Sequence, residues 1–333
     1  MAGMKLYDMH CDVIRKLWRE QKQGFTTDLL ENTHHVDLKR MQQSGYGLQC
    51  FAVYVNQQED DSTIFSAQEQ IDIFFTQMEK HQHLISQVFR YEDLKRNETQ
   101  GRMSALLTIE GGEACGGNLS VLRNYYRLGV RLMTLTWNCE NELGFPNINL
   151  LDENCTYPFR ADTKNGLKEK GIEFVEEMEQ LGMIIDVSHL SDAGFYDVAE
   201  HTKKPFVATH SNAREEASFV RNLTDDMIKC IGQRGGVIGI NYCADFLRDF
   251  KPGEETYSAV FDMIRHIRHI VEVGGMDVIG LGSDFDGIDG KLEIADCGRM
   301  EVLREALQKA GFSSTEQDKI FYGNVERILQ ELL

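Results

Sequence analysis

Eight short β-rich runs, each followed by a helical pattern, constrain this 333-residue chain more than any other feature. They fall at residues 5–9, 48–55, 104–109, 131–136, 183–187, 206–209, 237–240 and 278–281. Helical patterns lie between them at 67–88, 119–128, 167–181, 224–234 and 257–273, with two more at 300–310 and 314–333. Strands alternating with helices predict a mostly parallel sheet covered by helices. Leu-Gly pairs at 128–129 and 181–182 read as glycine stops after a helix. Ser191 and Thr224 read as N-caps, because their hydroxyls can accept a free N–H of the first turn. Eight β/α units in one chain predict a TIM-type (β/α)8 barrel rather than an open doubly wound sheet. No Gly-x-Gly-x-x-Gly follows the first run, which removes the main argument for a dinucleotide fold. Without a linker or an internal repeat, residues 1–333 read as a single domain, and 137–164 as a long loop that shapes a pocket.

The formal net charge of −18, with no run of Lys and Arg, argues against nucleic acid or an anionic membrane as partner. The eight cysteines contain no Cys-x-x-Cys pair, and the chain is long for a disulfide scaffold, so reduced thiols in a cytoplasm are expected. Residues 1–12 meet Asp8 and Asp12 before an apolar signal region could form, and no stretch approaches 18 uncharged apolar residues. Residues 326–333 lack the pattern of a lipid-anchor signal. The expectation is therefore a cytoplasmic protein, neither secreted nor inserted in a membrane.

In a barrel the reactive side chains come from the C-terminal ends of the strands. The first run ends in His10 and Asp12, and residues i and i+2 of an extended strand point the same way. Both can therefore face one ion while Cys11 turns away. The third run ends in Glu110, the fifth in His189, the sixth in His210 and the eighth in Asp284. One histidine at a strand end is more often a satisfied polar residue than a ligand, but six suitable residues at the same ends point to metal. Imidazole and carboxylate suit zinc and similar divalent ions, and six exceed the three protein ligands of a mononuclear catalytic zinc. Two metals bridged by one carboxylate would use the whole set. His34, His35, His81, His83, His201, His266 and His269 fall in helical or loop contexts and are expected to be structural or exposed.

Seven segments in order carry a resemblance over nearly the whole chain: Asp-Met-His-Cys-Asp at 8–12, Ile-Glu-Gly-Gly at 109–112, Leu-Gly-Val-Arg-Leu-Met-Thr-Leu-Thr-Trp at 128–137, Ile-Asp-Val-Ser-His-Leu-Ser at 185–191, Ala-Thr-His-Ser-Asn-Ala at 208–213, Arg-Asn-Leu-Thr-Asp-Asp at 221–226 and Gly-Ser-Asp-Phe-Asp-Gly at 282–287. The chain resembles the renal (membrane) dipeptidase family of zinc peptidases, within the amidohydrolase-like hydrolases. The resemblance implies two Zn2+, or other divalent metals, with His10 and Asp12 on one ion, His189 and His210 on the other, and Glu110 bridging. It implies hydrolysis of dipeptides, L,D-dipeptides among them, by a metal-bridging hydroxide, with Asp284 as proton shuttle and Arg221 gripping the free carboxylate. A homodimer is also implied. Where the family's kidney enzyme carries a histidine that helps bind substrate near the scissile carbonyl, this chain has Trp137, which cannot become cationic. Asn138 or Asn141 on the same loop are the candidate substitute donors, and Asp286 reads as a turn carboxylate. Another metal hydrolase, acting on an N-acyl amino acid or a lactone, would use the same ligands. A non-catalytic binding protein would have lost some of them, and all six are present.

Overall fold

Each of the eight runs becomes a stave of one curled parallel sheet. The computed structural model describes residues 5–251 and 253–333; the first four residues of the stretch read for a signal lie outside them. The strands are β1 (Leu6–Asp8), β2 (Tyr46–Tyr54), β3 (Ile85–Gln87), β4 (Met103–Glu110), β5 (Val130–Thr134), β6 (Ile184–Asp186), β7 (Ile238–Ile240), β8 (Tyr257–Ser258), β9 (Ile279–Leu281) and β10 (Lys291–Leu292). The main sheet runs β6-β5-β4-β2-β1-β9-β7, with every pair parallel. Its two edges are joined by the sixth run, where single parallel bridges link Asp186 to Val207 and Ala208 to Ile238. The result is a closed (β/α)8 ring whose sixth stave is only bridge-length. Gly239 and Gly282 make room there, because a Cβ on them would come within 2.0 and 1.8 Å of the Thr209 carbonyl oxygen.

The period of two along the strands sorts side chains between barrel interior and helical shell. Leu48, Cys50, Leu106, Leu132, Ile184, Val207 and Val237, from six staves, form one apolar cluster. Their sequence neighbours Phe51, Ala105, Leu107, Met133, Ile185, Ala208 and Ile238 belong to the other, shared with the surrounding helices. The C-terminal helix Asn324–Leu332 adds Val325, Ile328 and Leu329 to the interior cluster and so closes the N-terminal end of the barrel. Burial of such side chains stabilises by about 1.5–3 kcal/mol each.

The helix stops and caps follow the local chemistry. Gly129 and Gly182 take φ values of 96° and 78°, Ser191 accepts from the Gly194 N–H, and Thr224 accepts from the Met227 N–H. The helix expected over 67–88 is instead Thr63–Lys80, a turn, and then β3 beside β4. Leu84 and Val88 keep helical spacing, but Ile85 and its neighbours pair with the sheet. The helix expected over 314–333 is interrupted by a π turn at Lys319–Gly323, where Asn324 Nδ2 donates to the Met276 and Ile279 carbonyls. Helices Val13–Lys22, Leu38–Gln43, Tyr91–Thr99 and Asp192–His201 add to those read from the sequence. Residues 137–164 carry no helix or named strand, as expected of a long loop. All eight cysteines are free. Among the described residues, no helix is long and apolar enough to cross a membrane.

Candidate active site

The C-terminal ends of the staves bring the predicted side chains together. His10 and Asp12 follow β1, Glu110 ends β4, His189 follows β6, His210 follows the sixth stave and Asp284 follows β9. Around His10 Nε2 lie Asp12 Oδ2 at 3.3 Å, Glu110 Oε2 at 3.5 Å and Asp284 Oδ1 at 3.8 Å. The other Glu110 oxygen, Oε1, lies 2.9 Å from His189 Nε2 and 3.5 Å from His210 Nε2. One carboxylate thus turns one oxygen to each of two clusters. Cys11 is buried in the core, as the alternation requires. His189 and Asp284 adopt φ of 72° and 61°, a left-handed conformation costly for side chains other than glycine and concentrated at functional sites.

The donor set fits divalent cations. His10 Nε2 and Asp12 Oδ1 are buried with no hydrogen-bond partner, although such atoms are almost always satisfied. His189 Nδ1 lies 2.8 Å from Asn138 Oδ1, and His210 Nδ1 lies 2.8 Å from Thr209 Oγ1. If both Nδ1 atoms donate, the two Nε2 lone pairs face each other across 2.9 Å, an arrangement that a cation relieves.

At His189 and His210 the electrostatics agree, whereas at His10 the two carboxylates favour the cation that a metal would displace. Burial and the neighbouring Arg221 charge hold the His189 pKa down to about 4, and burial with the His10 charge holds His210 well below the usual range, so both stay neutral. For His10, burial opposes the cation, yet Glu110 and Asp12 outweigh it and raise its pKa well above the ordinary value. Burial and the Glu110 charge push Asp12 up to about 6. Asp284 is pushed up to about 7 by burial and the nearby Asp12 and Glu110 charges.

The remaining predicted residues separate in role. Trp137 and Asn138 line a cavity of about 400 Å3 with Asp12, Glu110, His189 and Asp284. Tyr54 and Phe246 complete its aromatic wall, with the Trp137 ring edge-on to Tyr54 at 5.0 Å. Arg221 is buried behind that wall, its guanidinium 5.4 Å from the Phe246 ring and Nη2 donating to the His210 carbonyl. Its Nε has no partner, and no carboxylate of the described residues lies within 4.0 Å of it. Burial lowers its pKa to about 10, against the raising influence of Asp284 and Glu110. Asn141 is not in the cavity wall: it is buried and bonds Glu113, the Leu135 carbonyl and the Leu143 and Gly144 N–H groups. The local loop needs those bonds, which corrects its reading as a candidate donor. Asp286 accepts from the His35 and Val36 N–H groups, the expected turn carboxylate. Unread in the sequence were Tyr54 and Asn241, whose Nδ2 donates to Asp284 Oδ2 at 2.9 Å.

A barrel that brings a donor set for divalent metal to one end of its staves has the architecture of the metal-dependent hydrolases. The membrane dipeptidase family, peptidase family M19, matches residues 1–332, and the chain belongs to that family. An uncharacterised dipeptidase of Schizosaccharomyces pombe is 34% identical over 97% of this chain and 79% of its own length. The dipeptidase tcpJ of Claviceps purpurea is 30% identical over 90% of this chain and 69% of its own. Among solved structures, the metallopeptidase dipeptidase AC of family M19 superposes with a TM-score of 0.90 at 28% identity, over 99% of each chain. A metallopeptidase from Rhodobacter sphaeroides, bound to a phosphinate mimic of the dipeptide L-Ala-D-Ala, superposes at 0.89 with 26% identity, over 99% of this chain and 100% of that one. The fold is a metallo-dipeptidase barrel, and membership of the family makes the protein a metal-dependent dipeptidase.

Proposed function

We propose that residues 1–333 form one catalytic domain that holds two zinc ions and cleaves dipeptides, L,D-dipeptides included. The observation that carries this reading is the Glu110 carboxylate, which turns Oε2 to His10 and Oε1 to His189 and His210. His10 and Asp12 would hold one ion, His189 and His210 the other, and Glu110 both. When bound, the ions supply Lewis acidity, acidifying water and polarising a carbonyl.

The chain's own groups do the rest. Asp284, held by Asn241, accepts a proton from the attacking water and returns it to the leaving amine. Arg221 lacks a counter-ion, and a substrate carboxylate reaching it past Phe246 would complete it with a planar two-point bond. Asn138 spends its oxygen on His189, and its amide NH2 is free to donate to the substrate carbonyl where the kidney enzyme uses histidine. Trp137 and Tyr54 supply apolar wall that excludes water. A cavity of about 400 Å3 has room for two residues but not for a folded protein. The L-Ala-D-Ala mimic in the Rhodobacter relative supports a D-residue in second place. A cytoplasmic homodimer completes the reading; the free cysteines accord with a reducing compartment.

The test is release of free amino acids by zinc-loaded protein from matched L,L- and L,D-dipeptides, with N-acyl amino acids and lactones alongside. Turnover of dipeptides that vanishes in Asp284→Asn is expected. Hydrolysis of the acyl amino acids or lactones with no dipeptide turnover would replace the reading by the other acyl substrate.

A further inference from the structure

Behind His210 lies a buried carboxylate that the reaction does not use. Asp186 Oδ1 accepts from the Ser188 N–H, the Ser188 hydroxyl and the Thr209 N–H. Its Oδ2 accepts from the Thr134 and Thr209 hydroxyls, each at 2.6 Å. Five donor groups converge on one carboxyl, two of them backbone N–H groups that can only donate, and the carboxyl accepts from each of them. The Thr209 hydroxyl has one hydrogen, and Asp186 takes it. Thr209 Oγ1 can then only accept from the His210 Nδ1 that lies 2.8 Å away. With Asp186 as the acceptor, the bonds run in one order: His210 Nδ1–H to Thr209, Thr209 O–H to Asp186. His210 is thereby fixed in the tautomer whose Nε2 lone pair faces Glu110 Oε1 and His189 Nε2.

We infer that Asp186, acting through the Thr209 hydroxyl, is a positioning residue for the metal-binding nitrogen of His210. The inference rests on the proposed metal site for its consequence, but not for the tautomer. Its partner histidine is supported differently, since His189 leans on the neutral amide of Asn138. An anion behind an imidazole makes it a better donor to a cation, and loss of such support costs metal affinity about 10- to 100-fold. Two neighbouring contacts supply controls: Thr134 donates to the same carboxylate without touching His210, and Thr209→Ser keeps the hydroxyl while shedding the methyl.

Histidine 15N chemical shifts in the metal-free full chain read the tautomer, and zinc competition with a chromophoric chelator reads affinity. The wild type is expected to hold His210 as the Nδ1–H form. Thr209→Val and Asp186→Asn should mix the tautomers and weaken zinc by about 10- to 100-fold, whereas Thr209→Ser and Thr134→Val should bind close to wild type. An Nε2–H tautomer at His210 in the wild type overturns the inference without any variant. So does a folded Thr209→Val that binds zinc normally, or equal losses in the Val and Ser variants. A wild type that binds no zinc would instead defeat the metal reading, and the tautomer would still decide the relay.

Discussion

Asp284 combines a left-handed backbone, a hydrogen bond from Asn241 and a pKa pushed up to about 7, each of which suits a group that must both take and give a proton. Asp284→Asn keeps the shape and removes that exchange, so kcat should fall by about 10²–10⁴-fold with zinc still bound; undiminished turnover would remove Asp284 from the chemistry. Arg221→Lys keeps the charge but loses the planar fork, and should raise KM for dipeptides about tenfold or more while kcat changes less. Steady-state kinetics on one dipeptide series decides it, since equal losses in kcat alone would contradict a carboxylate grip. The convergence of the three histidines and three carboxylates was legible in the sequence because each sits at a strand end, where alternation and stave order predict its direction. Asn241, Asp186 and Thr209 were not, because their roles depend on which stave lies beside which and at what register. Asn141 misled for the opposite reason: its neighbourhood in sequence suggests the pocket, but its amide is consumed by its own loop.

At the level of elements, the stave pattern survived into the structure, while the helices expected over 67–88, 257–273 and 314–333 did not keep their bounds. Ile85–Gln87 retains helical spacing with its neighbours, so only pairing with β4 distinguishes it from a continued helix. The bridge-length sixth stave depends on two glycines. Gly239→Ala or Gly282→Ala would drive a Cβ into the Thr209 carbonyl and should cost about 1–3 kcal/mol or more, read as a lowered Tm. An unchanged Tm would mean the staves can separate there. Helix Val260–Gly274 carries a second, pH-sensitive brace. His266 Nδ1 accepts from the Ala213 N–H and its Nε2 donates to the Leu247 carbonyl, so only the neutral ring serves both. Burial holds its pKa down to about 4, below the ordinary 6.5. The unfolded chain therefore binds the proton first: the contribution is complete above pH 6.5 and is lost as pH falls from there toward 4, by up to about 3 kcal/mol. Urea midpoints should drop more steeply over that window in the wild type than in His266→Gln. Parallel curves would show that His266 does not titrate with unfolding.

Across the whole molecule, the barrel gathers three histidines and three carboxylates at one end while its other end is plugged by the C-terminal helix. Such a concentration of buried, partly unsatisfied groups is unfavourable by itself, and bound cations would offset it. Chelation should lower Tm reversibly, because a ligand that binds only the folded state stabilises it by about 2.7 kcal/mol at a hundredfold excess over Kd. A Tm indifferent to chelator would show that the site is content without metal. The most direct measurement is a zinc titration of chelator-stripped protein, following bound metal and dipeptide hydrolysis together. Activity should be absent at the start, rise with the metal and level off at two equivalents per chain. Full turnover by the stripped protein, or saturation of activity and binding at a single equivalent, would contradict a two-metal dipeptidase bridged by Glu110.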